Sequence, residues 1–361
     1  MTVKMRSKKS LKNRFRGNAF KVHWRGELND YVTVLTWSPD GSGLAVGSSS
    51  GEVVIWTESK LVSLLPGQPD SAVDCLEFSA DGHYLAAAGQ RGDVFIWETQ
   101  SLDQSPTVLP NPQAWIDQLA WHPLQPWLAF GVGSRVQVWD ASQAKPSSQL
   151  DFTESSVLSL AWHPGGTLLA VSGHTGVKVW HSDDWGAKPD FIEVPGASAS
   201  VAWSADGRYL ASGNLDRTLT VVSWGNPPPW LMQGFPGKVR QVDWAATSEE
   251  QPALVAAACM EGVTVWRRQG QGWKSRVLEN HDGVVVAIAF HPTACLLASA
   301  AKDGQLCLWQ NATTLQQTLK GVTSGFSAVA WHPQGSFLAA GGDQGEILIW
   351  KLLRRGQGFQ K

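Results

Sequence analysis

Short apolar runs that end in an aromatic residue recur along the whole chain, separated by segments rich in Pro, Asp, Gly and Ser. Eight of these runs close on tryptophan: VVIW at Trp56, VFIW at Trp97, VQVW at Trp139, VKVW at Trp180, TVVSW at Trp224, VTVW at Trp266, LCLW at Trp309 and ILIW at Trp350. Their spacings are 41, 42, 41, 44, 42, 43 and 41 residues, a mean of 42. Short runs of β-branched and aromatic residues between turn signals read as β-strands. Spacing this constant marks repeated structural units.

Each unit keeps one internal order. A first strand ends in an aromatic: Trp37, Phe78, Trp121, Trp162, Trp203, Trp244, Phe290 or Trp331. A turn follows, reading SPDG, SADG, HPLQ, HPGG, SADG, AATS, HPTA and HPQG in the successive units. The second strand carries small residues, as in LAVGS, LAAAG and LASAA, and a Gly- or Asp-containing hairpin leads into the Trp-closed third strand. A looser fourth strand, as in KLVSLLPG or KSRVLEN, ends the unit. Pro, Asp and Gly supply the φ angles that tight reversals need. Four short strands per repeat of about 42 residues are the arrangement of a β-propeller blade. Small second-strand residues suit a wedge squeezed from both sides, and tryptophans fill its wider part.

On these residues the units resemble the WD40 family over about residues 20–352. The family's closing Trp-Asp pair stands only at Trp139-Asp140; Thr57, Glu98, His181, Gly225, Arg267, Gln310 and Lys351 follow the other closing tryptophans. Its Gly-His before the first strand is absent, His281-Asp282 being the nearest remnant, and its hairpin Asp matches at Asp216 and Asp303. The resemblance implies an Asp–His–Trp hydrogen-bond network in each blade, which most units here must do without. Packing of tryptophan surface between blades then carries the fold.

The units supply eight first, second and third strands but only seven fourth strands. The expected fold is therefore all-β: a closed WD40-type propeller of eight four-stranded blades, with seven blades plus an extra unit as the alternative. AFKVHWRGE, residues 19–27, is expected to provide the missing outer strand beside ILIW, because an open ring would leave associating sheet edges. The organisation read from the chain is a basic flexible tail over 1–18, one propeller over 19–352, and a basic tail over 353–361.

Hydrophobic residues at 43% and charged residues at 17% exclude a mostly disordered chain. No run of 18 apolar residues offers a membrane-spanning helix. The net charge of −2 gives no overall field for nucleic acid. It is unevenly spread: Lys4, Arg6, Lys8, Lys9, Lys12, Arg14 and Arg16 crowd residues 1–16 without an acid, leaving −9 on the remainder. This tail is a candidate contact for an anionic partner, nucleic acid or acidic lipid, or else simply solvated. Cys75, Cys259, Cys295 and Cys307 form no Cys-x-x-Cys pair and read as buried, reduced thiols of a cytoplasmic protein.

No catalytic, cofactor or metal constellation emerges. Gly47-Ser48-Ser49-Ser50-Gly51 matches G-x-S-x-G but falls in a hairpin, not a strand-to-helix elbow. His122, His163, His291 and His332 each precede a Pro in the same turn of different units. They stand too far apart to share a metal and are read as packing on that Pro or capping backbone. Asp40, Asp81 and Asp206 in Ser-x-Asp-Gly turns are expected to accept turn amides. HSDDWGAK and WGNPPPW read as longer loops whose Trp185 and Trp230 fold back on their own units. Catalysis at the axis would need Asp74, Asp117, Arg240 and Asp243 to converge.

The family resemblance implies docking on the face that carries the loops before first strands and the second-to-third hairpins. Carried over, this selects Tyr31, Trp115, Lys238 and Phe326 in the loops, and Arg91, Arg135, His174, Arg217, Met260 and Lys302 in the hairpins. Trp115 and Phe326 stand where other units have Ala or Ser, so they are the expected anchors. The function implied is a non-enzymatic scaffold for protein or peptide partners, a monomeric propeller within a complex. The alternative is a binder of anionic surfaces through the basic tail.

Overall fold

The computed structural model describes residues 19–353, apart from Ser59, residues 247–250, Glu261 and the side chain of Pro227. Among these residues every regular element is a strand, save one 3-10 turn at Thr99–Ser101. The strands form seven antiparallel sheets, six of four strands and one of seven. With units numbered 1 to 8 by their closing tryptophans, unit 1 runs Val32–Trp37, Gly43–Ser48, Val53–Thr57 and Lys60–Leu65, paired in sequence order. Units 2, 3, 6 and 7 repeat this meander.

The seven-stranded sheet departs from eight separate sheets. Asp190–Trp203, 14 residues long, pairs with His174–His181 of unit 4 and then with Tyr209–Asn214 of unit 5. Its centre, VPGASAS, has no Asp-Gly or Asn-Gly turn, so the backbone stays extended and bends at Gly196, where φ is +73°. A second departure is WGNPPPW, which is not a loop. Asn226–Met232 is the fourth strand of unit 5 and pairs with Leu219–Ser223. Proline is tolerated on such an outer strand, where its missing N–H faces no partner.

The sheet of unit 8 takes its fourth strand from the start of the chain. Ala19–Glu27 pairs antiparallel with Glu346–Leu353, from Ala19 opposite Leu353 to Glu27 opposite Glu346. Phe20 is buried 5.5 Å from the Trp331 ring. Its N–H and C=O also bond both ends of the Gln317 amide of unit 7, each at 2.9 Å.

The core lies between sheets. Ala45, Ala87, Ala129, Ala170, Ala211, Ala257 and Ala339 of the second strands are wholly buried. One apolar cluster joins Trp37 and Trp56 of unit 1 to Ile347 and Ile349 of unit 8. Each first-strand tryptophan also donates its indole N–H to a first-strand carbonyl of another unit: Trp121 to Glu77 (3.0 Å), Trp162 to Ala120 (3.1 Å), Trp203 to Ala161 (3.2 Å), Trp244 to Ala202 (2.9 Å), Trp331 to Ala289 (2.9 Å) and Trp37 to Ala330 (3.2 Å). Phe78 and Phe290 have no donor for this bond.

Candidate functional site

Antiparallel order puts the loops at two ends of every sheet. One end holds the first-to-second turns, and four of these are built on histidine. His122 Nδ1 accepts the N–H groups of Leu124 and Gln125 at 3.0 and 2.9 Å, which makes Nε2 the protonated nitrogen. Nε2 then donates to the Gly166 carbonyl of the next unit at 2.8 Å. His163, His291 and His332 repeat the bond to Gly207, Gly335 and Gly41 at 3.3, 3.2 and 3.2 Å. The expected capping role is present, and so is a link between units that the sequence reading missed. Burial holds the His122 and His332 imidazoles below the ordinary histidine range.

Units 1, 2 and 5 cap the same turn with Ser-x-Asp. Ser38, Ser79 and Ser204 each donate to the Asp two residues on at 2.6 Å and accept the N–H five residues on at 2.9 Å. Asp40, Asp81 and Asp206 in turn accept the N–H of Ser42, His83 and Arg208. Against burial, which would raise it, the bonds from Ser79 and His83 bring Asp81 down to about 2. The polar side chains of these turns are thus committed to backbone capping.

Between the ends, two carboxylates bridge first strands of adjacent units. Asp243 accepts the N–H of Phe290 at 2.6 Å and of Trp244 at 2.9 Å; Glu77 accepts the N–H of Trp121 at 2.9 Å. Burial pushes Asp243 up to about 6 and Glu77 up to about 7, offset in part by these bonds. Gln241 makes the same bridge with both amide atoms on Ile288, at 2.8 and 3.1 Å. Asp243 is therefore tied to the next unit's backbone. Unit 7 alone carries the chain His281–Asp303 (3.2 Å), His281–Ser299 (2.8 Å) and Trp309–Ser299 (2.9 Å) among the described residues.

The opposite end holds the expected docking residues. Trp115 is 58% exposed, and its Nε1 donates to Asp74 Oδ2 at 2.7 Å across two units. Burial raises the Asp74 and Asp117 carboxyls, and the Asp117 charge raises Asp74 further. A groove of about 360 Å³ opens beside Trp115 and Asp117. Tyr31 and Lys302 come together: the Lys302 ammonium lies 4.9 Å from the Tyr31 ring centre and pairs with Asp343. Arg91 binds Gln68 and Asp93, and Arg135 binds Asp151. His174, Arg217 and Lys238 are exposed in their own units, and Met260, 49% exposed, packs over Gly237. Phe326 overturns its expectation. It is 0% exposed, 6.2 Å from the Trp350 ring, because it begins the strand Phe326–Trp331 on its buried face.

Among the described residues no group of three or more His, Cys, Asp or Glu is placed to hold a metal ion. All four cysteines are free, three buried and Cys295 half-buried. No described helix is long and apolar enough to cross a membrane. Lys4, Arg6, Lys8, Lys9, Lys12, Arg14 and Arg16, with residues 354–361, lie outside the described residues.

Comparison with known proteins places these features. The WD40 family (WD domain, G-beta repeat) matches residues 19–57, 59–98, 145–181, 196–223, 272–310 and 313–351, more than half of the chain. Units 3 and 6 hold the longest unmatched stretches yet form the same four-stranded sheets. Nuclear distribution protein nudF of Aspergillus flavus, like that of Aspergillus oryzae, is 27% identical over 107 residues, 29% of this chain and 23% of the relative. Protein transport protein SEC13 of Pyricularia oryzae is 25% identical over 113 residues, 28% of this chain and 39% of the relative. The match thus spans well under half the length of each.

Proposed function

Because the chain belongs to the WD40 repeat family, we propose that it is a non-enzymatic scaffold that binds protein or peptide partners at the sheet ends carrying Tyr31, Trp115 and Lys302. The scaffold is a closed propeller of eight four-stranded blades over residues 19–352. Dividing the seven-stranded sheet at Gly196 supports the count. The bonds His332–Gly41 and Trp37–Ala330 support closure, since they join unit 8 to unit 1 as other neighbours are joined. The observation that carries the docking reading is the contrast between the two ends. At one the polar side chains are committed to capping backbone and Leu124 is the exposed large apolar residue, while the other exposes Trp115, Met260 and Val284. Exposed aromatic and Met side chains in a polar rim are typical anchors.

The relatives are named for nuclear distribution and protein transport, which agrees with a role in assembly. The engagement of Asp243 and Glu77 with neighbouring backbone supports a role without catalysis. Four free thiols suit a reducing, cytoplasmic setting. Affinity capture followed by mass spectrometry tests the reading, with wild type beside Trp115→Ala, Met260→Ala and Arg217→Glu. Partners recovered by wild type are lost from at least one variant; equal recovery by all three removes this end as the docking surface. A second reading rests on the seven bases of residues 1–16, which contact an anionic surface. Removing residues 1–18 then abolishes salt-sensitive binding to anionic vesicles or RNA, and unchanged binding refutes it.

A further inference from the structure

We propose that Trp115, Asp74 and Asp117 form a subsite for a cationic side chain, arginine above all, presented by an extended basic segment of a protein partner. The inference rests on the docking role proposed above and names the partner's chemistry at that end. Of the twenty tryptophans, Trp115 alone is exposed. The others outside the repeat positions lie against aromatic rings: Trp24 on Trp56 (5.8 Å), Trp127 on His122 (5.3 Å), Trp185 on Trp162 (5.9 Å), and Trp230 and Trp273 on each other (6.0 Å). Trp115 is instead tied by one hydrogen bond to Asp74 of the neighbouring unit, which fixes the ring without covering it.

Charge points to the ligand. Asp117 is close enough for its charge to act on Asp74, and among the described residues neither carboxylate has an ion pair. The cations on nearby hairpins are committed elsewhere: Arg91 lies 3.4 Å from Asp93, and Arg135 lies 3.1 Å from Asp151. Two partly desolvated carboxylates without a counter-charge favour a cation beside them. The indole face adds a cation–π contact. A guanidinium is the better fit than an ammonium, because its planar donors serve carboxylates while its face stacks on the ring. The adjoining groove reaches from Trp115 and Asp117 to Gly133, Ser156 and Leu158, and its 360 Å³ is in the range of small-ligand pockets. That leaves room for flanking peptide backbone.

The test is fluorescence anisotropy on the full chain with a short labelled Gly/Ala/Ser peptide carrying one central arginine, beside the same peptide with citrulline, which keeps the shape and removes the charge. The arginine peptide binds about tenfold more tightly than the citrulline peptide, and Trp115→Ala and Asp117→Asn each remove most of that difference, whereas Trp115→Phe keeps part of it. Val277→Ala, on the outer strand Gly272–Leu278 of unit 6, leaves it unchanged. Equal binding of the two peptides, or no binding of the arginine peptide by wild type, overturns the inference. If Trp115→Ala still releases a captured partner while the peptides show no charge preference, the cation subsite falls and the docking role stands. If no variant of this end affects capture, the docking role falls. Binding of the arginine peptide only after removal of residues 1–18 assigns the groove to the chain's own basic segment and overturns the partner assignment.

Discussion

A single imidazole joins two sheets at four places in this protein, and its protonation state decides whether it can. His122 uses Nδ1 as an acceptor and Nε2 as a donor, so adding a proton at Nδ1 sets N–H against the Leu124 and Gln125 N–H groups. Its folded pKa lies below the ordinary value of 6.5, so the stability it contributes is present above that pH and lost as pH falls through the folded pKa. His122→Gln is expected to lower stability by about 1–2 kcal/mol at neutral pH and to flatten the acid limb, read by urea unfolding across pH. Glu77 works in the opposite sense. Its pKa rises from 4.5 to about 7, so its contribution is fully present below pH 4.5 and lost as pH rises through 7. Glu77→Gln keeps an acceptor for the Trp121 N–H and removes the titration. The expected outcome is a flatter dependence of the unfolding midpoint on pH between 4.5 and 7. The histidines and their shared turn were readable from sequence, whereas their bonds to glycine carbonyls of the next unit join residues 44 apart, or 291 apart for His332, and depend on packing.

At the scale of the element, the turn and the strand constrain each other. Gly335 has φ +67°, and a Cβ there would lie 1.9 Å from His291 Nε2. Gly133 has φ +58° with nothing within 4 Å of that position. Gly335→Ala therefore suffers both backbone strain and a broken seam, and Gly133→Ala only the strain. The expected losses are more than about 2 kcal/mol and about 1 kcal/mol respectively, compared by thermal unfolding. The small-residue second strands were legible for the same reason that they work: alanine at the buried position is a property of every unit. The continuous strand Asp190–Trp203 was not legible, because nothing in VPGASAS distinguishes a short loop from an extended crossing. The proline run Asn226–Met232 misled in the other direction, since proline marks a loop only where its N–H is needed.

For the whole molecule, the strand Ala19–Glu27 is the test of how the ends of the chain cooperate. It covers the outer edge of Glu346–Leu353 and buries Phe20 against Trp331. Removing residues 1–27 uncovers that edge and the Phe20 site together. The expected outcome is a lower melting temperature and concentration-dependent association by light scattering, whereas removal of residues 1–18 changes neither.

The period, the all-β class, the order of strands within a unit and the turn chemistry are legible along the chain, because each is set by residues a few positions apart. Tertiary structure decided which surface residues are available. Phe326, five residues before Trp331, is in register with the buried Ile116 and is itself buried against Trp350, while Trp115, one position earlier in its unit, is exposed and held by a bond to Asp74 of the neighbouring sheet. Exposure depends on what the neighbouring sheet places opposite a side chain, and that neighbour is about one repeat away in sequence, beyond the reach of local pattern.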